Sequence, residues 1–170
     1  MNEVETTLTA LRREFGERIL DSLEFRGQLT LILEPETVVD VCRYLKQHGY
    51  DLLIALTAVD HWPAEPRFEV IYQLFSTETN EWVGLSVRLD GGDPAVPSIE
   101  PVYANANWHE REVFDMFGID FPGHSDMRRI LMPYDWEGHP LRRDYPLGYE
   151  EVQFSFNFDE IDRRKKYAKD

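Results

Sequence analysis

Apolar residues recur at helical spacing in two stretches near the start of the chain. The first repeat runs through Val4, Leu8, Leu11, Phe15 and Ile19. This spacing predicts an amphipathic helix over roughly residues 3–20. The second stretch lies between Pro35 and Gly49, which are favoured at the first position of a helix and just past its end. A single apolar stripe between them includes Cys42, so we predict a second helix with a buried, structural thiol.

Strand patterns follow the second helix and also precede it. Leucines alternate with polar or smaller residues over 29–33. Residues 51–59 are apolar on both alternating faces, which is typical of a central strand. The segments 68–75 and 82–89 are joined by a short polar stretch, so we predict an antiparallel hairpin. These elements together predict an α+β fold, a single domain with helices packed on a mainly antiparallel sheet.

A third helix is predicted over residues 107–118 from the signals at its two ends. Asn107 has the chemistry of an N-cap residue, and Glu110 stands where a capping-box acid reaches back to the cap. Gly118 supplies a left-handed exit from the helix. Ser98 is expected to cap a short helix just before this one.

The same helix carries an acid–base–acid triplet beside large apolar side chains. Charges of this density need neutralising partners when one face is buried. Arg111 and Asp115 stand four positions apart, a spacing that allows an ion pair on one face. Glu110, Glu112 and Asp115, with His124 nearby, could instead form an acid–base site for hydrolysis. The arginines in and after the helix offer direct neutralisation, which favours a structural ion-pair network over catalysis.

The chain changes character after about residue 120, and no periodic apolar face continues past about residue 132, although aromatic residues do. A long helix is forbidden there by Pro122, Pro133, Pro140 and Pro146. We predict that residues 129–133 are extended. We also predict a core domain over residues 1–120 and an extended C-terminal arm over residues 121–170, which packs on a partner through aromatic and arginine side chains. An arm that folds back on its own domain fits the composition equally well.

Composition narrows the classes of function. The net charge of −14 disfavours nucleic-acid binding, which needs a basic surface. A single cysteine excludes a disulfide framework and an iron–sulfur cluster held only by this chain's thiolates. The histidines show no helical metal-binding pair, so no metal site is expected. No apolar run reaches membrane-spanning length, and Glu3 and Glu5 replace the basic flank of a secretion signal, so we expect a soluble, cytoplasmic chain.

Two blocks in the back part of the chain carry a recognisable pattern. The first consists of Glu110, Arg111, Glu112, Asp115, His124 and Arg128, and the second runs from Arg129 to Pro146. The first block resembles the signature of the C subunit of bacterial NADH–quinone oxidoreductase, the small peripheral-arm subunit of respiratory complex I. The second block is similar to the segment that follows the signature in that family. The two blocks cover about a quarter of the chain, far more than a single short motif.

The resemblance implies a non-catalytic structural and assembly subunit of a proton-translocating NADH–quinone oxidoreductase. Such a subunit docks beside the D subunit, which helps to form the quinone site. It binds no cofactor itself, because FMN and iron–sulfur clusters belong to partner subunits. It is peripheral to the plasma membrane on the cytoplasmic side, attached only through the complex. The predicted anchors on the partner are Trp136, Arg142, Arg143, Asp144 and Tyr145.

Three alternatives remain open at this point. The chain could belong to a related ferredoxin-dependent or hydrogenase-type complex, since the chain itself does not contact the electron donor. It could be a stand-alone hydrolase that uses the carboxylates of the signature. It could also be a general acidic adaptor unrelated to respiration. The hydrolase is disfavoured because the nearby arginines offer direct neutralisation of those carboxylates.

Overall fold

A computed structural model describes residues 3–146 together with positions 159 and 163. Within residues 3–146 the elements, in chain order, are α1 (Glu3–Phe15), β1 (Ile19–Phe25), β2 (Gln28–Leu33), α2 (Val38–Gln47), β3 (Leu52–Asp60), β4 (Phe68–Phe75), β5 (Trp82–Leu89) and α3 (Ala106–Phe117). Short 3-10 turns at Gly16–Arg18 and Pro35–Thr37 precede β1 and α2. No helix among these described residues is long and apolar enough to cross a membrane.

The first helix is shorter than predicted, and a strand follows it. Gly16 adopts a φ of 56°, a left-handed conformation that ends the helix after Phe15. Ile19 then begins β1, which pairs antiparallel with β2 across a tight turn at Arg26 and Gly27. Both turn residues have positive φ, as hairpin turns require. The helical spacing misled because Ile19 is buried in the strand just as it would be in a helix.

The strands form one sheet in the order β1-β2-β5-β4-β3. β2 and β5 are parallel, and the other three neighbouring pairs are antiparallel. β4 and β5 have the predicted bounds and the predicted hairpin pairing. The α+β class, with helices on a mainly antiparallel sheet, is therefore confirmed.

β3 is an edge strand, so the prediction of a central strand was wrong. It pairs only with β4 among the described strands. Its residues alternate between buried and exposed positions, and the apolar Leu52 and Ile54 stay exposed. The sequence looked central because apolar residues occupy both faces, but only one of these faces is covered by helices.

The helices cover one face of the sheet, and the core lies between them. The ring of Phe15 in α1 packs edge-on against Tyr44 of α2, with centroids 5.7 Å apart. Cys42 of α2 is fully buried, and burial, helped by the charge of Glu110 on α3, raises the pKa of its thiol. The strand positions that face these helices include the cross-strand neighbours Leu31, Leu85, Tyr72 and Leu56. The predicted structural thiol is confirmed.

The described part of the C-terminal segment, residues 121–146, lies against this domain. The backbone N–H of Leu141 donates to the carbonyl of Met116 at 3.0 Å. The guanidinium of Arg142 donates to the carbonyl of Phe117 at 2.5 Å. Of the two interpretations of the arm, folding back describes these residues. Contact of residues 121–170 with a partner stays a prediction, and most of residues 147–170 lie outside the described chain.

Candidate functional site

The start of α3 differs from the prediction in its capping. The helix begins at Ala106 after Asn105, and no side-chain hydrogen bond caps this end. Asn107 lies inside the first turn, and its amide donates to the carboxylate of Glu100 at 3.0 Å. Ser98 begins no helix, and its hydroxyl accepts the backbone N–H of Glu100 at 3.1 Å in a turn. Both capping predictions were wrong, because Asn107 binds Glu100 in the preceding loop and the Ser98 hydroxyl donates to Glu110 on α3.

Glu110 faces the loop before α3 and does not cap its own helix. Its carboxylate is buried, and it accepts hydrogen bonds from the Ser98 hydroxyl at 2.6 Å and from the backbone N–H of Ile99 at 2.8 Å. Burial disfavours the charged form and raises the pKa of Glu110 to about 7, although both hydrogen bonds act in the opposite direction. This carboxyl therefore ties the loop to the helix through hydrogen bonds from uncharged donors.

Asp115, also buried, organises the bend that follows the helix. Its Oδ2 accepts the consecutive backbone N–H groups of Ile130, Leu131 and Met132 at 3.0, 2.8 and 2.9 Å. Its Oδ1 accepts a hydrogen bond from the guanidinium of Arg129 at 2.6 Å. Burial alone would raise the pKa of Asp115, but these donors lower it. Residues 129–133 bend around this carboxylate, so the prediction of an extended segment was wrong.

Arg111 does not pair with Asp115, contrary to the prediction. Its guanidinium donates to the carbonyls of Arg128 and Arg129 at 3.0 and 3.4 Å, and it lies over the ring of Trp108 at 5.3 Å. The bend is therefore held through its backbone N–H groups and through its backbone carbonyls. Asp115 accepts the N–H groups, while Arg111 donates to carbonyls just before them.

The remaining signature residues divide between loop positioning and exposure. The ring of His124 accepts the Asp126 N–H at Nδ1 (2.9 Å), which assigns the ring proton to Nε2 for donation to the Asn107 carbonyl at 3.1 Å. Arg128 is exposed and pairs with Asp126 at 2.6 Å. Glu112 is exposed on α3. The signature thus contains two buried acids, two side chains that hold loops, and two exposed charged residues.

A second buried network, missed from the sequence, joins the segment to the sheet. Arg67 is buried, and its guanidinium donates to Asp60 at 2.8 Å and 3.0 Å and to Asp144 at 2.5 Å and 2.9 Å. The backbone N–H of Arg143 donates to the same Asp60 carboxylate at 2.8 Å. Burial by itself would raise the pKa of Asp60, but the hydrogen bonds from Arg67 and Arg143 lower it to about 2. Only the fold brings these distant residues together, so spacing offered no signal.

A third set of contacts holds the segment at the end of α3. Gly118 has a φ of 71°, which confirms the predicted left-handed exit. A Cβ at Gly118 would lie 2.5 Å from the ring of His139, so this close approach also requires glycine. The ring of His139 donates from Nδ1 to the carbonyl of Asp115 at 3.0 Å. Arg142 lies over the ring of Phe68 at 5.3 Å while it donates to the helix end.

Several of the residues predicted to contact a partner instead make hydrogen bonds within this chain. Arg142 and Asp144 make the internal contacts above, and Tyr145 donates to the carbonyl of Glu137 at 3.1 Å. Arg143 is exposed and donates to the carbonyl of Trp62 at 3.4 Å. Trp136 stays exposed. Large apolar side chains that the sequence analysis did not select are also exposed on the same segment, namely Leu131, Tyr134 and Leu141.

This arrangement uses the two buried carboxylates of the signature to hold loops. Both oxygens of Asp115 and both oxygens of Glu110 accept hydrogen bonds in buried positions. Within the described residues, no group of three or more His, Cys, Asp or Glu side chains is placed to hold a metal ion. Charged groups that bind the chain's own loops, beside exposed large apolar side chains, define a domain of the kind found as a subunit of larger assemblies.

Comparison with known proteins identifies that class. Residues 31–151 match the family described as respiratory-chain NADH dehydrogenase, 30 Kd subunit, and the chain belongs to this family. It is 49% identical over 168 residues to the C subunit of NADH-quinone oxidoreductase from Roseiflexus sp., covering 97% of both chains. It is 44% identical over 149 residues to the protein of the same name in Geobacter sulfurreducens, covering 86% of this chain and 92% of that one. The resemblance to the C subunit is confirmed.

Two solved structures share the fold. The trypsin-resistant fragment (1–134) of Nqo5 superposes with a TM-score of 0.62 at 27% identity, over 72% of this chain and 98% of that chain. A chain of the membrane-bound sulfane sulfur reductase, an archaeal respiratory membrane complex, superposes with a TM-score of 0.75 over 99% of this chain and 96% of that one. At 21% identity, the second likeness shows the fold alone.

Proposed function

We propose that this chain is a non-catalytic structural and assembly subunit of the peripheral arm of a proton-translocating NADH–quinone oxidoreductase. It docks beside the D subunit, which helps to form the quinone site. It reaches the plasma membrane only through the complex, on the cytoplasmic side. FMN and the iron–sulfur clusters are held by partner subunits. Membership of the 30 Kd subunit family supports the complex, and the internal use of the signature charges supports the structural role.

Limited access to the buried carboxylates of the signature supports the non-catalytic role. A general acid or base must reach a proton on its substrate. Asp115 is buried beneath Arg129 and three backbone N–H groups, and Glu110 is buried beneath the loop at Ser98. Glu112 is exposed on α3, and exposure alone does not make it part of a site. Hydrogen bonds and ion pairs that hold loops explain the buried acids without a reaction.

Exposed apolar side chains on the C-terminal segment support the docking role. Leu131 is 61% exposed and Tyr134 is 86% exposed, on a stretch whose beginning is held to α3 by Asp115 and Arg111. Large apolar side chains on a pre-ordered surface lose less conformational entropy on binding. Of the predicted anchors, Trp136 and Arg143 remain proposed contacts with the partner. The other three, Arg142, Asp144 and Tyr145, act as positioning residues that shape this surface from within.

Assembly and turnover separate this proposal from a catalytic role. A tagged full-length chain is expressed in the source organism without its own copy of the gene, with Tyr134→Asp and Trp136→Asp together. We expect roughly tenfold less assembled complex, with unchanged NADH–quinone turnover per complex. The matched control Glu112→Gln should change neither quantity. Normal assembly with lost turnover in the control would contradict the proposal and favour catalysis.

The D subunit and the electron donor are tested in the same strains. A photo-crosslinking residue at position 136 should attach the chain to the D subunit in the purified complex. Attachment only to other subunits would overturn the docking position but not the assembly role. Membranes should lose NADH–quinone activity without the chain and regain it with the wild-type chain. Activity that depends on reduced ferredoxin or hydrogen instead of NADH would favour the related complexes.

A further inference from the structure

One buried hydroxyl in the core lacks a hydrogen-bond partner among the described residues. It belongs to Tyr72, which lies in β4 and is fully buried on the side of the sheet that the helices cover. A buried hydroxyl without a partner has lost its hydrogen bonds to water and has gained none in return. Such groups are rare in folded proteins, and an ordered water or ion often explains them. The hydroxyl therefore marks a place in the core where a polar ligand is expected.

Two other polar side chains lie in the same part of the core. Cys42 comes from α2 and Glu110 comes from α3, and both are fully buried. Burial raises the pKa of the Tyr72 hydroxyl, and the ionised forms of Cys42 and Glu110 raise it further. Glu110 has the same effect on the pKa of the Cys42 thiol, which burial also raises. Because such interactions weaken with distance, the three groups share one region between α2, α3 and the sheet.

The carboxyl of Glu110 can accept more hydrogen bonds than the described residues supply. One oxygen is bonded to the hydroxyl of Ser98 at 2.6 Å, and the other accepts the backbone N–H of Ile99 at 2.8 Å. The two oxygens of an ionised carboxyl can accept about four hydrogen bonds in all, and a protonated carboxyl keeps part of this capacity. Glu110 can therefore bind a further donor in either charge state.

Water is the ligand that matches these groups. The Tyr72 hydroxyl makes no direct hydrogen bond to Glu110 or Cys42, so a contact between them needs a bridging molecule. Water can accept the proton of the hydroxyl and donate to a carboxyl oxygen, with the thiol as a third and weaker contact. Buried waters typically make about three hydrogen bonds to polar groups that otherwise lack partners, whereas empty cavities are apolar. A metal ion fits less well, because the described chain places no group of three or more His, Cys, Asp or Glu side chains around one.

We propose that an internal water molecule bridges the Tyr72 hydroxyl and the Glu110 carboxyl, next to the thiol of Cys42. The water satisfies the hydroxyl and joins α3 to β4 through hydrogen bonds. It belongs to the core of the chain itself, so this site does not depend on the proposed function.

Two tyrosine variants of the full-length chain test the site. Tyr72→Phe removes the hydroxyl that holds the water. Tyr103→Phe is the matched control, because Tyr103 is also buried but donates its hydroxyl directly to the carbonyl of Tyr50 at 2.6 Å. Each variant should melt roughly 2–4 °C below the wild-type chain, since each loses one hydrogen-bonded hydroxyl. Magnetic relaxation dispersion of the solvent nuclei counts long-lived internal waters, and only Tyr72→Phe should contain one fewer.

A high-resolution crystal structure of the wild-type chain supplies the second measurement. A water oxygen within hydrogen-bond distance of both Tyr72 Oη and a carboxyl oxygen of Glu110 would support the proposal. The lack of such an oxygen, or one that contacts Tyr72 without Glu110, would overturn it. An unchanged number of long-lived waters in Tyr72→Phe would overturn it as well. So would an unchanged or raised melting temperature of this variant, because that is the result expected when a hydroxyl without any partner is removed.

Discussion

Two carboxylates on α3 meet opposite surroundings at the two ends of the helix. Glu110 and Asp115 are both buried, and each binds a loop that lies outside the helix. Burial raises the pKa of Glu110 to about 7, whereas the pKa of Asp115 is lowered. Glu110 accepts one hydroxyl and one backbone N–H, while Asp115 accepts three backbone N–H groups and a guanidinium. Burial alone therefore does not decide whether an acid is charged.

The difference shows that the two acids serve different purposes in the fold. Asp115 is held charged by a cation and fixes the bend that presents Leu131 and its neighbours. Glu110 accepts only uncharged donors, so its charge is a cost that the two hydrogen bonds only partly offset. Replacing Asp115 should therefore lower the free energy of unfolding strongly at neutral pH. Replacing Glu110 should instead change how that free energy depends on pH.

The largest effect is expected from Asp115→Ala. This change leaves the Arg129 guanidinium and three backbone N–H groups without their acceptor in a mostly buried site. Removing one partner of such a network typically costs about 3–5 kcal/mol of unfolding free energy. Denaturant unfolding of the full-length chain measures this loss. The exposed acid on the same helix supplies the control, because Glu112→Ala should change stability by less than about 0.5 kcal/mol. Equal effects of the two changes would refute the role given to Asp115.

A smaller and pH-dependent effect is expected from Glu110. Its folded pKa lies above the value for an unfolded glutamate, so its contribution is present below about pH 4.5 and is lost as pH rises through about 7. This loss amounts to about 3 kcal/mol of unfolding free energy. Glu110→Gln should therefore flatten the decline that the wild-type chain shows between pH 5 and 8.

Urea unfolding of the wild-type chain and Glu110→Gln at several pH values measures that difference. Subtraction isolates Glu110 from His139, whose pKa is lowered mainly by burial and which therefore acts in the opposite direction. Asp115 also has the opposite sign, because a lowered pKa stabilises the fold at neutral pH and loses that effect under acid conditions. Parallel pH curves for the two chains would show that Glu110 is not the group responsible.

The smallest effect on stability is expected from Asp144→Asn, which removes one of the two carboxylates bound to Arg67. Asp60 is buried beside this guanidinium, but the carboxylate of Asp144 is partly exposed to solvent. Water screens the exposed pair, so Asp144→Asn should cost about 1 kcal/mol or less. Asp60→Asn should cost more, because the amide leaves a buried guanidinium incompletely neutralised. Thermal unfolding at neutral pH compares the two, and a larger loss for Asp144→Asn would reverse the assignment.

Local patterns were sufficient for several elements of the fold. β4, β5 and α2 were predicted because their apolar periodicity and end signals agree, and Gly118 was predicted because few other residues adopt its conformation. β1 was missed because a helical repeat continued across Gly16 into the strand. The edge position of β3 was not predictable from its residues, because its apolar character on both faces does not reveal which face other elements cover.

The residues of the signature could be predicted from the sequence, but their hydrogen-bond and ion-pair partners could not. The signature residues were recognised from their spacing, yet the sequence paired Asp115 with Arg111, which is near it along the helix. The structure pairs Asp115 with Arg129 because the chain turns back after Gly118. Arg67 and Asp60 escaped notice because their partner Asp144 lies 77 positions from Arg67 in the chain.

The sequence by itself determined the α+β class, α2, the β4–β5 hairpin, and membership of the NADH–quinone oxidoreductase C-subunit family, because these depend on periodicity and on residues close together in the chain. Only the tertiary structure decided which acid is charged, which arginine it meets, and which large apolar side chains stay exposed. These properties depend on the surroundings that distant segments create when they pack. The charge state of a buried carboxylate depends on the hydrogen-bond donors and cations that the fold places around it.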